Sequence, residues 1–125
     1  MANVLVVEDQ EEIAALLRFK LKNSGYDVDY AENGKLCLEA VRKKRPDLII
    51  LDVMMPVMNG FETFTNLRAD PALKSIPVIF LTAQSSEQEI VHGFDLGADD
   101  YITKPFNTNV FIARVKAVLS RSPKS

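Results

Sequence analysis

A chain of 125 residues, 47% apolar and 26% charged, has the size and balance of one globular domain with a real core. Its formal net charge of −2 gives no global pull toward nucleic acid or an anionic membrane surface. No apolar run approaches the roughly 18 residues that span a bilayer, and "MANVLVVED" turns acidic too early for a signal peptide, so a cytoplasmic chain is expected.

Along the chain, strand and helix patterns alternate five times. Val4 to Val7 is a short valine-rich run, and so a strand. From Gln10 to Ser24, Ile13, Leu16, Leu17 and Leu21 repeat at helical spacing, with Gly25 suited to a C-terminal cap. Tyr26, Val28 and Tyr30 alternate with Asp27 and Asp29, which predicts a strand with one wet face, at a sheet edge. Asn33 caps a second predicted helix carrying Leu36, Cys37, Ala40 and Val41, before the basic run "RKKR". The lone cysteine, Cys37, is expected to pack in that helix without a reactive role, as suits a reducing compartment. Leu48 to Leu51 is a third strand, and a shorter helix follows Gly60 and ends near "RADP". Residues 77–81, "PVIFL", form a fourth strand, and Ser86 with Glu89 predicts a capping box for the next helix. "DYIT" is a fifth strand, and Asn107 to about Ser120 a closing helix with Phe111, Ile112, Val115 and Leu119 inward. "SRSPKS" reads as a tail or the start of a linker, so residues 1–121 are expected to form the domain and 122–125 the tail.

Strands one, three and four are apolar on both faces, as parallel strands covered by helices on both sides must be. Repeated strand–helix units then imply an α/β fold with a doubly wound, open parallel sheet. Such sheets bind ligands at the carboxyl ends of their strands. There the sequence places Glu8 and Asp9 after strand one, Asp52 after strand three, Thr82 after strand four, and Lys104-Pro105 after strand five. Each has a plain alternative: Asp9, with Glu12 three residues on, also reads as a helix cap, and Lys104 as a surface lysine. Their agreement on one edge is what carries a functional reading.

Three crowded carboxylates repel one another unless a cation intervenes. Magnesium (or manganese) takes one or two protein carboxylates, here Asp9 and Asp52, and keeps several waters, one of which Glu8 can hold. Lys104 adds a fixed positive charge, and the Thr82 hydroxyl can donate to an anionic oxygen. A carboxylate nucleophile, a divalent metal, a lysine and a hydroxyl together describe a phosphoryl acceptor, with Asp52 as the attacking group.

The segments "VLVVED", "DLIILDVMMPVMNGFE", "IPVIFLTA" and "GADDYITKPF", in that order, resemble the receiver domain of bacterial two-component response regulators, the CheY-like group. The resemblance implies a flavodoxin-like, five-stranded sheet of order 2-1-3-4-5 with five helices. It implies that Asp52 accepts a phosphoryl group from the phosphohistidine of a sensor histidine kinase or a phosphotransfer protein, without the chain being an enzyme in the ordinary sense. Asp9, Asp52 and the Met54 carbonyl would ligate magnesium, with Glu8 acting through water. The main-chain N–H groups of Met54 and Ala83, with Lys104, would hold phosphoryl oxygens. Thr82 would then move toward that group, Tyr101 would turn inward behind it, and Lys104-Pro105 would be cis. Met54 and Gln84 occupy positions that tune phosphate lifetime in the family, and neither is an acid suited to positioning water.

The ending "ARVKAVLSRSPKS" resembles the helix leading into a linker in the winged-helix (OmpR/PhoB-like) transcription-factor branch, although no DNA-binding element lies in these residues. That branch dimerises through charge pairs on helix four, strand five and helix five. Asp100 with Arg114 and Asp95 with Lys116 fit two of them, whereas Ile90 and Val110 stand apolar at a third. Two other readings are a receiver-like scaffold that binds without phosphorylation and an aspartate-nucleophile phosphatase of the haloacid dehalogenase class. The second lacks its usual acid two residues after the nucleophile, where Met54 stands. A nucleotide-binding module lacks its glycine-rich phosphate loop.

Overall fold

The computed structural model describes residues 2–83 and 87–121; Gln84, the Ser86 cap and the 122–125 tail lie outside the described residues. Five parallel strands are ordered β2-β1-β3-β4-β5, with β1 Asn3–Val7, β2 Asp27–Ala31, β3 Leu48–Asp52, β4 Val78–Thr82 and β5 Asp100–Thr103. The helices are α1 Glu11–Asn23, α2 Gly34–Lys43, α3 Gly60–Ala69, α4 Glu87–Asp95 and α5 Thr108–Arg121. This is the flavodoxin-like order that the sequence led us to expect, with strand ends displaced by one residue at β1, β2, β3 and β4. Every residue of β1, β3 and β4 is buried, while β2 alternates exposed and half-buried positions at the edge.

Two cores flank the sheet. Val4, Val6, Ile50, Ile79 and Leu81 point toward α1 and α5, meeting Leu17, Leu21, Phe111, Val115 and Val118. Leu5, Val7, Ile49, Leu51 and Phe80 point toward the opposite layer, meeting Cys37, Val41, Phe64 and Leu67 of α2 and α3. Alternation along each strand thus feeds both layers, which is why the runs lack polar interruptions.

The helix faces differ in detail from the periodicity. In α1 the buried residues are Ala14, Leu17 and Leu21, whereas Leu16 is 46% exposed. In α2, Leu38 is buried and Leu36 lies at the surface. In α5, Val118 is fully buried and Leu119 only partly. A hydrophobic repeat every three or four residues leaves two neighbouring faces open, and contact with the sheet selects one. Burial pushes the Cys37 thiol up to about 12, which fits packing without reactivity.

Local chemistry ends the helices. Gly25, at φ 94°, closes α1 with Gly25 N–H donating to the Lys22 carbonyl and Tyr26 N–H to that of Leu21, a Schellman arrangement. Asn33 accepts from Leu36 N–H at 2.9 Å, as expected. Asn59 and Glu62 form a reciprocal capping box on α3. Asp9 does not cap α1: the N-cap is Gln10, which makes no capping bond with its side chain.

Val57, in the β3–α3 loop, holds φ 72° although it is β-branched and 77% exposed. Left-handed backbone crowds a Cβ against the following carbonyl. Val57→Gly is expected to raise stability by about 0.5–1 kcal/mol in a denaturant titration, since strain relief outweighs glycine's entropy and little packing is lost. A midpoint below wild type would show that Val57 contributes contacts exceeding its strain.

Candidate functional site

The carboxyl ends of β1, β3, β4 and β5 converge because the register makes them neighbours: Val7 pairs with Leu51, Asp52 with Leu81, and Thr82 with Thr103. Asp52 is the last residue of β3 and 2% exposed, Glu8 is fully buried, and Thr82 is 1% exposed. Asp9 is exposed on the solvent side. One carboxylate oxygen from each of Glu8, Asp9 and Asp52 lies within 4.8 Å of the others. The three acids expected from sequence are therefore one cluster, and not three separate loop residues.

Lys104 reaches into it from the end of β5. Its backbone N–H donates to the Thr82 carbonyl at 2.7 Å, and the Lys104–Pro105 peptide is cis. Its ammonium stands 2.9 Å from Glu8 Oε1, 3.0 Å from Gln10 Oε1 and 3.5 Å from Asp52 Oδ2. Met54 N–H donates to Asp52 Oδ1 at 3.4 Å, while the Met54 side chain is 58% exposed. Gln10 N–H donates to Glu8 Oε2 at 3.0 Å, and the Tyr30 hydroxyl donates to the Glu8 carbonyl at 2.7 Å. Ala83 sits exposed just past β4.

One cation for three acids leaves the cluster short of positive charge. Burial, then its hydrogen bond to Glu8 and that residue's negative charge, push the Asp52 carboxyl up to about 8 despite Lys104 and Met54 N–H. Burial also acts upward on Glu8. The hydrogen bond from Asp52, the Gln10 N–H and Lys104 overcome it and hold Glu8 below its ordinary value. Asp9 is raised by burial and by its hydrogen bond to Glu8. In the metal-free cluster these opposed shifts favour the proton on Asp52 and the charge on Glu8, the nearer partner of Lys104. A divalent cation with hard oxygen ligands fits such a set, since it would relieve this repulsion, and Asp9 leaves one side open for waters.

On β5, beside Phe80, Tyr101 lies inward at 7% exposure, its ring centroid 5.5 Å from Phe80 and 5.6 Å from Phe94. Gly93 makes room for it: a Cβ there would fall 2.1 Å from the ring. Asp100 pairs with Arg114 of its own chain, both oxygens at 3.1 Å, so this pair is made within one molecule. Sequence reasoning missed Gln10, Gly60 and Gly93 around the site. Gly60 N–H donates to the Val53 carbonyl at 2.8 Å, which ties α3 to the end of β3.

Comparison with known proteins agrees with this architecture. The family model of the response regulator receiver domain matches residues 4–116. The alkaline phosphatase synthesis transcriptional regulatory protein PhoP of Bacillus subtilis (strain 168) is 46% identical over 119 residues, covering 95% of this chain and 49% of that protein. The chain therefore spans about half the length of this curated relative. A putative response regulator from Chloroflexus aurantiacus J-10-fl superposes with a TM-score of 0.91 at 35% identity, over 96% of this chain and 98% of that one. The chemotaxis response regulator CheY4 of Vibrio cholerae does so at 0.89 and 36% identity, over 94% and 98%. With its parallel sheet of order 2-1-3-4-5 and its acid cluster at the strand ends, the chain belongs to the response regulator receiver domain family.

Proposed function

We propose that the domain, residues 1–121, is a phosphoacceptor switch of a two-component system, with Asp52 as the acceptor. The observation that carries this reading is the buried Asp52 carboxyl at the end of a rigid strand, with Lys104 Nζ 3.5 Å away. A scaffold that only binds would have no need of a buried acid raised to about 8 beside a second acid and a lysine. The donors are a sensor histidine kinase or a phosphotransfer protein. An Asp52 oxygen attacks phosphorus, the bond to the donor's imidazole nitrogen breaks, and the leaving imidazole takes up a proton. Asp52 becomes an aspartyl phosphate, a mixed anhydride.

Each residue's part follows from its place. Asp52 must be ionised to attack, so its proton has to leave. Lys104 then turns from the carboxylates to the phosphoryl oxygens, joined by the N–H groups of Met54 and Ala83 and the Thr82 hydroxyl. Magnesium, or manganese, would be held by Asp9, Asp52 and the Met54 carbonyl, with Glu8 acting through water. When bound, it neutralises charge on the acids and the phosphoryl group. Tyr101, packed against Phe80 and Phe94, would link a movement of Thr82 to the face of α4, β5 and α5. That face carries exposed Val91, Phe94 and Val110. We assign it the output, homodimerisation or binding of another protein, and we place the chain in the cytoplasm, with no membrane or nucleic acid contact of its own. Among the described residues, no helix is long and apolar enough to cross a membrane.

Incubation with acetyl phosphate and magnesium, read by intact mass, tests the assignment. Wild type is expected to gain one phosphoryl group and Asp52→Asn none. Equal labelling of the two would remove Asp52 from the role, and an unlabelled wild type would remove the role itself.

A further inference from the structure

Gln10 stands at the N-cap of α1, where serine, threonine, aspartate or asparagine would bond the helix N–H groups. It caps nothing with its side chain. Both of its polar ends serve the acid–lysine cluster instead. The backbone N–H donates to Glu8 Oε2 at 3.0 Å, and the side-chain Oε1 accepts from Lys104 Nζ at 3.0 Å. This contact joins residues 94 positions apart, from the start of α1 to the end of β5.

The Lys104 ammonium donates to Gln10 and Asp52 and stands in an ion pair with Glu8. Of these three neighbours, Glu8 and Asp52 are carboxylates, whose oxygens a divalent cation or a phosphoryl group would engage. The Gln10 amide oxygen is neutral and outside that set, so its bond to Lys104 survives the change in charge. Without it, the flexible lysine stem is left only with carboxylates whose engagement changes as cation and phosphoryl group bind.

Building on the phosphoacceptor reading, we propose that Gln10 is a positioning residue for Lys104. Its side-chain carbonyl holds the ammonium beside Asp52, so that it meets the incoming phosphoryl oxygens already oriented. Gln10 touches neither phosphoryl group nor metal in this role; it acts through Lys104.

The test compares wild type, Gln10→Leu, which keeps size but loses the acceptor, and Gln10→Glu, which keeps an acceptor at the same reach. Each is given acetyl phosphate at saturating magnesium and followed by intact mass. The maximal labelling rate of Gln10→Leu is expected to fall about three- to tenfold, with the magnesium midpoint and melting temperature unchanged. Gln10→Glu is expected to stay within about twofold of wild type. A second readout needs no phosphodonor and is run at saturating magnesium, so that the carboxylates are engaged. Acylation of Lys104 by an amine-reactive ester, mapped by peptide mass, is expected to run about threefold faster in Gln10→Leu, because the ammonium is less held. Wild-type rates for Gln10→Leu in both assays would overturn the positioning role, as would a Gln10→Glu variant as slow as Gln10→Leu. A shifted magnesium midpoint with a lowered melting temperature would also overturn it, in favour of a structural role. Failure of the phosphoacceptor reading itself has a different signature: no labelling of wild type, or undiminished labelling of Asp52→Asn.

Discussion

Replacing Asp52 with asparagine is expected to raise the melting temperature of the metal-free chain at pH 7 by roughly 5–10 °C, or about 1–3 kcal/mol. Most substitutions at a fully buried site destabilise, so the sign is diagnostic. The Asp52 carboxyl titrates near 3.8 when exposed to water and is pushed up to about 8 in the folded chain, first by burial and then by Glu8. Between those values the folded chain holds a proton that the unfolded chain has released, so wild-type stability falls as pH rises across that window. Glu8 works in the opposite sense but lower down. Its folded value lies below the ordinary 4.5, so its contribution is complete above that pH and is lost as pH falls further. Asp9, raised by burial and by Glu8, adds to the falling slope in the same sense as Asp52. The part that Asp52→Asn removes belongs to Asp52, and that variant is expected to flatten most of the slope. Magnesium is expected to act on the same repulsion, raising the wild-type melting temperature by binding only the folded cluster. Asp9→Asn is expected to abolish most of that shift. Thermal melts from pH 5 to 9, with and without magnesium, separate these effects. A less stable Asp52→Asn with an unchanged pH slope would mean that the cluster is not strained by its own charge.

How much of this was legible in the sequence depends on what range of contact each feature needs. The sheet was legible because uninterrupted apolar runs at Leu48–Leu51 and "VIFL" admit little except strands covered on both sides, and Asp27 and Asp29 marked the wet edge. The Glu8, Asp9, Asp52, Thr82 and Lys104 set was legible because strand ends in a parallel sheet share an edge whatever the loops do. The α3 capping box was also present, as Asn59 with Glu62 three residues on, and simply went unread. Other features had no local signal. Leu16 and Ala14 lie on adjoining faces of α1, and only packing against the sheet decides which is buried. The Gln10–Lys104 bond spans most of the chain. Asp100 and Arg114 were legible as a charge pair, but a pattern cannot distinguish a bond within one molecule from one between two. The inward place of Tyr101 depends on the missing Cβ of Gly93, a steric fact that emerges only when α4 is laid beside β5.

Gly60→Ala is expected to cost about 2–4 kcal/mol and to lower the melting temperature by roughly 10 °C or more, although it adds only one methyl group at a helix start. The reason is what the methyl would meet. A Cβ at Gly60 falls 2.4 Å from the Asp52 carbonyl oxygen, 2.8 Å from Val53 Cα and 3.0 Å from the Asp52 carbonyl carbon. All three are backbone atoms, and none can rotate away. They are also pinned: Asp52 pairs in register with Leu81, and Val53 N–H donates to the Leu81 carbonyl at 3.0 Å. Relief must come from moving α3 outward, which would break the 2.8 Å bond from Gly60 N–H to Val53 and loosen Phe64 and Leu67 from the core. The alternative is to move the end of β3, and with it the Asp52 carboxyl. Either way the site is disturbed, and a displacement near 1 Å is worth about a hundredfold in a reaction that depends on alignment. Labelling by acetyl phosphate, measured well below the melting temperature, is therefore expected to fall by more than tenfold. Gly93→Ala is the matched control. Its Cβ meets the far end of the Tyr101 ring, which can turn outward, so a smaller loss of stability is expected and labelling is expected to persist. If Gly60→Ala melts and labels like wild type, α3 is not seated on the end of β3 as closely as these distances state.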